Sequence, residues 1–435
     1  MDKDPRVTLA TSRMTQAQVL VVLVTVGLIA VDGIDVLSIS FAAPVIAQEW
    51  GIGRAALGVV LSMETIGVAV GCIVLGGVAD WIGRRWTLIS CLLVMTAGMA
   101  LATTSANVLQ LSAWRLLAGF GIGGVLATTN AVVAEFSSLK RRELSVSMMA
   151  AGYPMGAILG GLAATFLLSR SSWRAVFGFG AASTAVFIPI VAWKIPESVA
   201  WLCERRPTRA LDRVNRSLVK LGYDPIASLP IPVAACCKST IAELFKPGLA
   251  RSTVLVTAIY FLQATTLYFI LKWVPKIVVD MGFAPSAAAG VLVWTNVGGA
   301  VGGVVFGLLT QRIALHRLIF WFLVASAAMV WAFGHGQAHL STLSLICMLT
   351  GFFGLGGVIG VYSLLANAFP AALRARGSGF AIGISRCGAA LAPIIAGVLF
   401  HAGFSLQYVA VLMGSGSLVA AACLLALPAG RFEDR

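Results

Sequence analysis

Apolar residues in this chain come in long unbroken blocks, not in the three-to-four-residue rhythm of a helix that is wet on one face. Blocks of about 20 residues, enough to cross a bilayer as a helix, are centred near Leu28, Val68, Met95, Val125, Ala157, Val186, Ala264, Gly299, Ala325, Phe353, Cys387 and Val419. The first follows a polar leader, Met1–Gln18, and outruns a signal-peptide core, so it reads as a retained helix. The longest break in apolar sequence, Pro196–Ala250, divides the blocks six and six. The pattern predicts an all-α membrane protein of twelve transmembrane helices: a six-helix bundle over 1–195, a linker over 196–250 and a second six-helix bundle over 251–435. Within the linker, Leu211, Val214, Leu218 and Leu221 recur at helical spacing and Gly222 follows, which predicts a short amphipathic helix over Pro207–Leu221 lying on the membrane surface.

The two halves repeat. A shift of 231 positions without gaps pairs Pro44 with Pro275, Gly51 with Gly282, Gly67 with Gly298, Gly71 with Gly302 and Gly76 with Gly307, along with Leu61/Leu292 and Val74/Val305. Apolar matches are cheap in such a composition, whereas a common register of Gly and Pro is not. Two parallel repeats place a transport site near the bilayer midplane between them. Gly67-xxx-Gly71 and Gly298-xxx-Gly302 are seams where helices can approach closely.

Charge decides orientation. The 435 residues are 59% hydrophobic and 11% charged, yet carry a formal net charge of +14. Such a chain is neither a soluble enzyme nor a disulfide scaffold, and its basic excess points to a membrane surface instead of nucleic acid. With the N-terminus in the cytoplasm, 24 of the 31 Lys and Arg fall on the inner side and 4 on the outer, which fits the positive-inside rule with both termini inside. The remaining Arg115, Lys272 and Arg386 fall within helices, as do Asp32, Asp35 and Glu64. Six such groups left unpaired would cost on the order of 15–20 kcal/mol, so they must pair or line a wet cavity. Arg115, near the outer face, and Lys272, within a turn of Pro275, have the further option of snorkelling. Asp32 and Asp35 share one helix face, and two adjacent carboxylates in a low dielectric do not both ionise easily. The acids therefore suit proton exchange across the membrane.

The turn after helix 2, Gly76-Gly77-Val78-Ala79-Asp80-Trp81-Ile82-Gly83-Arg84-Arg85, resembles the signature loop of the major facilitator superfamily, with Trp81 in place of the usual basic residue. The second-half copy, Gly307 to Arg317, carries Gln311 where the acid would be. The resemblance implies that Asp80, Arg84 and Arg85 form a gate, and Glu135 and Arg142 resemble the superfamily's inner charge relay. Asp32-Gly33-Ile34-Asp35, with Ala43-Pro44 and Trp50-Gly51 downstream, resembles the first-helix motif of the aromatic acid:proton symporter family. Pro196-Glu197-Ser198 with Trp201-Leu202, Tyr268-Phe269 with Trp273 and Pro275, Trp294-Thr295, and Gly383 to Pro393 with Arg386 resemble other family stretches along nearly the whole chain. The resemblance implies uptake of a benzoate-like carboxylate with protons across a bacterial inner membrane, with functional weight on Asp32, Asp35, Arg115 and Arg386. Lys272 departs from the family.

An organic anion needs a cation, and Arg386 offers a bidentate fork to a carboxylate, with Lys272 and Arg115 as further charges. Tyr153, Tyr268, Phe269 and Trp294 can wall an aromatic ring, and Asn130, Gln263 and Asn296 can read a ring hydroxyl. For any one aromatic, ordinary packing is the competing account. Asp32, Asp35 and Glu64 stand as the proton-coupling set. The eight cysteines have no metal-ligand spacing, His316, His335, His339 and His401 are scattered, and no phosphate-binding Gly-Lys-Ser/Thr loop exists. The expectation is a monomeric carrier without cofactor, metal or ATP, driven by a proton gradient. Helix 5 reads Gly152-Tyr153-Pro154 without the Gly-Pro pair of proton antiporters, which leans toward symport. A carrier of non-aromatic anions such as sugar acids or dicarboxylates, a drug:proton antiporter and a membrane receptor are the competing readings.

Overall fold

A computed structural model describes residues 4–230, 241–247, 249–336, 339–370 and 373–427. Of the eight cysteines Cys236 and Cys237 lie outside them, as do the basic residues of the C-terminal tail. After α1 (Pro5–Thr11) come α2 (Gln16–Trp50), α3 (Arg54–Ile82), α4 (Arg84–Thr103), α5 (Val108–Phe136), α6 (Arg142–Arg170) and α7 (Arg174–Lys194). Two short helices, α8 (Val199–Arg205) and α9 (Ala210–Leu221), lead to α10 (Ala250–Asp280), α11 (Pro285–Leu309), α12 (Leu315–Gly334), α13 (Leu340–Ala368), α14 (Arg374–His401) and α15 (Leu406–Leu425). Twelve helices are long and apolar enough to span a membrane, and the described residues contain no strand.

Local chemistry sets the ends. Thr15 and Gln18 form a capping box at the start of α2, and Gly51, in the left-handed region at φ 61°, closes it. The amphipathic helix begins at Ala210, three residues later than the periodicity predicts. Pro207 disfavours a helical Arg206, and Arg206 and Arg209 both adopt positive φ, so α8 and α9 are separate. Helix α9 buries Val214, Leu218 and Leu221 and ends at Gly222 (φ 82°). The Tyr223 hydroxyl donates to Gln18 Oε1 at 3.0 Å and ties this surface helix to α2.

The repeat is visible in the packing. Gly67 and Gly71 of α3 lie against the Leu116 and Phe120 carbonyls of α5, and Gly298 and Gly302 of α11 lie against the Met348 and Phe352 carbonyls of α13. No larger residue fits those crossings, which is why glycines recur in register. The start of α2, the end of α7, the turns before α4 and α6, and α8 and α9 share one end of the bundle, here called the basic end. Trp81, Trp86 and Trp193 are exposed near it, where amphipathic rings suit a headgroup layer.

The halves meet away from that end. A Cβ at Gly58 of α3 would reach the Pro393 carbonyl of α14 at 2.5 Å, and one at Gly397 would reach the Arg54 carbonyl at 2.7 Å. Toward the basic end, Gly77 of α3 and Gly379 and Gly383 of α14 face open space. Arg54 bonds Asp280 across the halves at 3.1 Å and lies over the Phe400 ring. The molecule is therefore closed at the far end and parted at the basic end.

Candidate functional site

The middle of α2 carries the two aspartates, both buried, at 1% and 0% exposure. Gly33 between them lets α2 press against the Tyr153 carbonyl and Ala157 amide of α6, an approach that a side chain would block. Asp35 Oδ2 accepts from Thr184 Oγ1 of α7 at 3.0 Å, and the missing side chain of Gly180 makes room for its other oxygen. Oδ1 of Asp32 and Oδ1 of Asp35 have no hydrogen-bond partner. Two buried carboxylates with a spare oxygen each are places where a proton can sit.

Glu64 of α3 is the hub of a second cluster. One oxygen pairs with Arg115 of α5, and the other accepts from Lys272 of α10 at 3.1 Å. Arg115 also donates to the Asp35 carbonyl at 2.9 Å, and Lys272 to the Val36 carbonyl at 2.5 Å. Successive carbonyls of α2 are thus held by cations from different halves. Arg115, Lys272 and Glu64 are all 0% exposed. This corrects the snorkelling option: neither cation reaches an interface, because each has a carboxylate and a carbonyl at hand in the interior. As an ion-paired group, Lys272 does not present a free ammonium in this conformation.

Arg386 of α14 is set apart from that cluster. It is partly exposed, donates to the Tyr268 hydroxyl at 3.2 Å, and lies within electrostatic reach of Asp32. The Tyr153 hydroxyl, buried and without a partner, is among the groups this same charge reaches. Arg386, Tyr268, Tyr153 and Asp32 form a polar group, and Gly383, one helical turn before Arg386 on α14, and the adjacent Cys387 are exposed.

The other residues named from the sequence separate. Asn296 is fully buried, donates to its own helix at the Leu292 carbonyl and keeps an unpartnered Oδ1. Trp294, two residues away, points to the opposite side of α11. It is 49% exposed on a stripe with Val301 and Leu308, so it belongs to an apolar outside and not to a ring-binding wall. Gln263 donates to the Gly354 carbonyl at 3.0 Å and accepts from Ser417 at 2.6 Å, which ties α10 to α13 and α15 and leaves little of it for a ligand. Phe269 is packed in the core. Asn130 is exposed and bonded to Leu126 of its own helix, about 22 Å along α5 from Arg115 at 1.5 Å per residue. For Gln263 and Asn130, type and depth suggested a cavity amide, but hydrogen-bond partners depend on neighbours that sequence spacing does not reveal.

At the basic end Arg84 bonds Asp80 at 2.7 Å and Glu135 at 3.0 Å, and Arg85 donates to the Ala192 carbonyl. Glu197 joins them through its carboxylate, which accepts from the amides of Arg84 at 2.7 Å and Arg85 at 3.2 Å at the start of α4. Gly83, at φ 101°, supplies both the turn and the space for that carboxylate. Burial pushes the Glu197 carboxyl above its usual range, against the pull of the amides it accepts from. Trp201 and Arg205 donate to the Asp80 carbonyl at 2.9 and 3.0 Å. Sequence reasoning gave Glu197, Trp201 and Arg205 no part in the gate, although the Pro-Glu-Ser stretch was the available signal. Arg142 begins α6 with an unpartnered Nε and shows no bond to this cluster.

No group of three or more His, Cys, Asp or Glu able to hold a metal ion occurs among the described residues. A family model described as Major Facilitator Superfamily matches residues 25–334. A gallate transporter of Pseudomonas putida is 28% identical over 91% of this chain and 88% of that protein. The 4-hydroxybenzoate transporter PcaK of Pseudomonas aeruginosa is 27% identical over 93% and 91%. Among solved structures, the inward open conformation of the xylose transporter XylE from E. coli superposes with a TM-score of 0.71 at 16% identity, covering 96% of each chain.

Proposed function

The chain belongs to the Major Facilitator Superfamily of membrane transporters, and on that footing we propose that it imports an aromatic carboxylate together with protons by alternating access. The observation that carries this reading is the partly exposed Arg386 guanidinium, braced by Tyr268 and within reach of a buried Asp32 that keeps a free oxygen. An arginine fork suits a carboxylate, and the tyrosines suit a ring. The two relatives above are described as carriers of gallate and 4-hydroxybenzoate, both hydroxylated aromatic acids. The unpartnered Tyr153 hydroxyl and Asn296 oxygen are the groups to read a ring hydroxyl.

Placing the basic end in the cytoplasm of a bacterial inner membrane makes this conformation inward-open, with both termini inside. The Asp80–Arg84–Glu135–Glu197 cluster is then the first half's side of the inner gate, intact in itself and parted from the second half. An inward-negative potential opposes anion entry by about 2.3 kcal/mol per charge per 100 mV, so one proton makes the cargo neutral and a second makes import electrically favourable. Asp32 and Asp35 are the acids to carry them. No cofactor, ATP or nucleic acid enters this scheme, and one chain suffices for it. The test is uptake of 4-hydroxybenzoate by proteoliposomes with an imposed pH gradient, acidic on the side from which the acid enters. Accumulation should follow the gradient and fall under competition by other aromatic acids more than by sugar acids or dicarboxylates. Uptake indifferent to the gradient overturns proton coupling, and preference for a non-aromatic acid overturns the cargo.

A further inference from the structure

Lys272 is the buried cation that reaches from one half into the other. Its ammonium lies 3.1 Å from Glu64 Oε2 and 2.5 Å from the Val36 carbonyl, and both partners belong to the first half. Arg115, the second partner of Glu64, sits on that same half, so the Glu64–Arg115 pair survives any movement of one half against the other. The Glu64–Lys272 pair does not. Lys272 stands eight residues short of the far end of α10, beneath the Arg54–Asp280 bridge. Parting the halves at the far end must draw it out of its seat.

Once withdrawn, the ammonium has no acid of its own half to turn to. The charges that reach it, Glu64, Arg115 and Asp32, are all on the first half. Between residues 251 and 427 the chain contains a single acid, Asp280, which already bonds Lys276 and Arg54. Glu64, by contrast, keeps Arg115. Separation therefore leaves one satisfied carboxylate and one cation that must find an anion or water.

Resting on the transport reading above, we propose that Lys272 is a movable counter-ion, paired with Glu64 while the far end is shut and with the carboxylate of the incoming organic anion when it opens. Glu64 then acts as a tethered competitor: as the far end closes, it reclaims the ammonium and frees the cargo toward the basic end. The nearest charged and titratable groups share the job unequally, with Arg115 holding Glu64 in place and Asp32, Asp35 and Arg386 left to protons and the cargo.

Hydrogen exchange of the full chain in lipid nanodiscs, without any ligand, tests the latch. In Lys272→Met, segments 54–64, 272–280 and 393–401 at the far end should exchange several-fold faster, while segments 76–85 and 374–384 at the basic end slow, the reciprocal change that a shift of open end requires. Lys272→Arg should behave like the unaltered protein. No change at either end, or faster exchange at both ends together, overturns the proposal. Uptake of 4-hydroxybenzoate tests the anion: Lys272→Met should raise KM about tenfold, with Lys272→Arg restoring most of it, and an unaltered KM overturns the hand-over. If the unaltered protein takes up no aromatic acid, the cargo assignment fails and the exchange result alone decides on Lys272.

Discussion

The two halves of this transporter are built on one pattern and carry their buried acids on only one side of it. At the repeat spacing, Asp32 corresponds to Gln263, Asp35 to Thr266 and Glu64 to Thr295, and a one-residue offset in the next crossing brings Arg115 opposite Cys347. The packing agrees residue by residue: Gly119 lies on the Glu64 carbonyl, and Gly351 lies on the Thr295 carbonyl. In the first half these positions hold an ion pair and two carboxylates with a free oxygen each. In the second they are neutral and bonded within their own half, Thr295 to the Val291 carbonyl, Thr266 to the Met413 carbonyl and Gln263 to Gly354 and Ser417. The same polar sites have thus been kept as structural ties in one half and made ionisable in the other. The buried acids belong to the first half, and the second contributes buried or half-buried cations, Lys272 and Arg386.

Breaking the charged side should cost most. Glu64→Ala leaves two buried cations without a counter-charge, a loss of about 3–5 kcal/mol, whereas Thr295→Ala at the matching place removes one neutral bond worth about 0.5–1.5 kcal/mol. Thermal unfolding in detergent should separate the two by many degrees, and equal losses would refute the asymmetry. Where the halves are alike they should fail alike. Gly67→Val and Gly298→Val each force a side chain into a backbone crossing, at about 1–3 kcal/mol apiece, and a large difference in melting temperature between them would show that the seams are not equivalent.

Function should divide the halves more cleanly than stability does. Asp32→Asn should lower pH-driven uptake by about tenfold or more, equivalent to 1.4 kcal/mol, with little change in melting temperature. Gln263→Met should do the reverse, costing about 1–3 kcal/mol of stability while uptake per folded molecule persists. The smallest effect is at the charge cluster of the basic end, whose second-half copy has Gln311 for Asp80 and Leu315 for Arg84. Burial raises the Glu197 carboxyl above its ordinary value of 4.5. Folding therefore favours its protonated form, and the stability it contributes is present below that pH and lost as pH rises through the folded value. Glu197→Gln keeps an acceptor for the α4 amides and should flatten this slope by a few tenths of a kcal/mol, read as melting temperature against pH from 4 upward.

The number of spans, the repeat and the glycine seams could be read from the sequence because each is a local or periodic property. Twenty apolar residues span a bilayer whatever they pack against, and a glycine repeated at one register marks a backbone crossing before the partner helix is known. The ionisable residues were equally legible as a set, since none can lie in hydrocarbon without cause. Their pairing was not legible. Lys272 and Glu64 are 208 positions apart, and nothing local distinguishes a lysine that snorkels from one that crosses between halves. Trp294 and Asn296, neighbours in sequence, proved to face opposite ways, and Gln263 proved to be a tie between three helices.

The sequence by itself determined that this chain crosses a membrane twelve times in two related halves, because burial in lipid is paid for residue by residue along each helix. Only the tertiary structure decided which charges meet, which end is closed and which polar groups keep a free oxygen. Those depend on how helices far apart in the chain are rotated and brought together, and a buried charge takes its meaning from the partner that arrives.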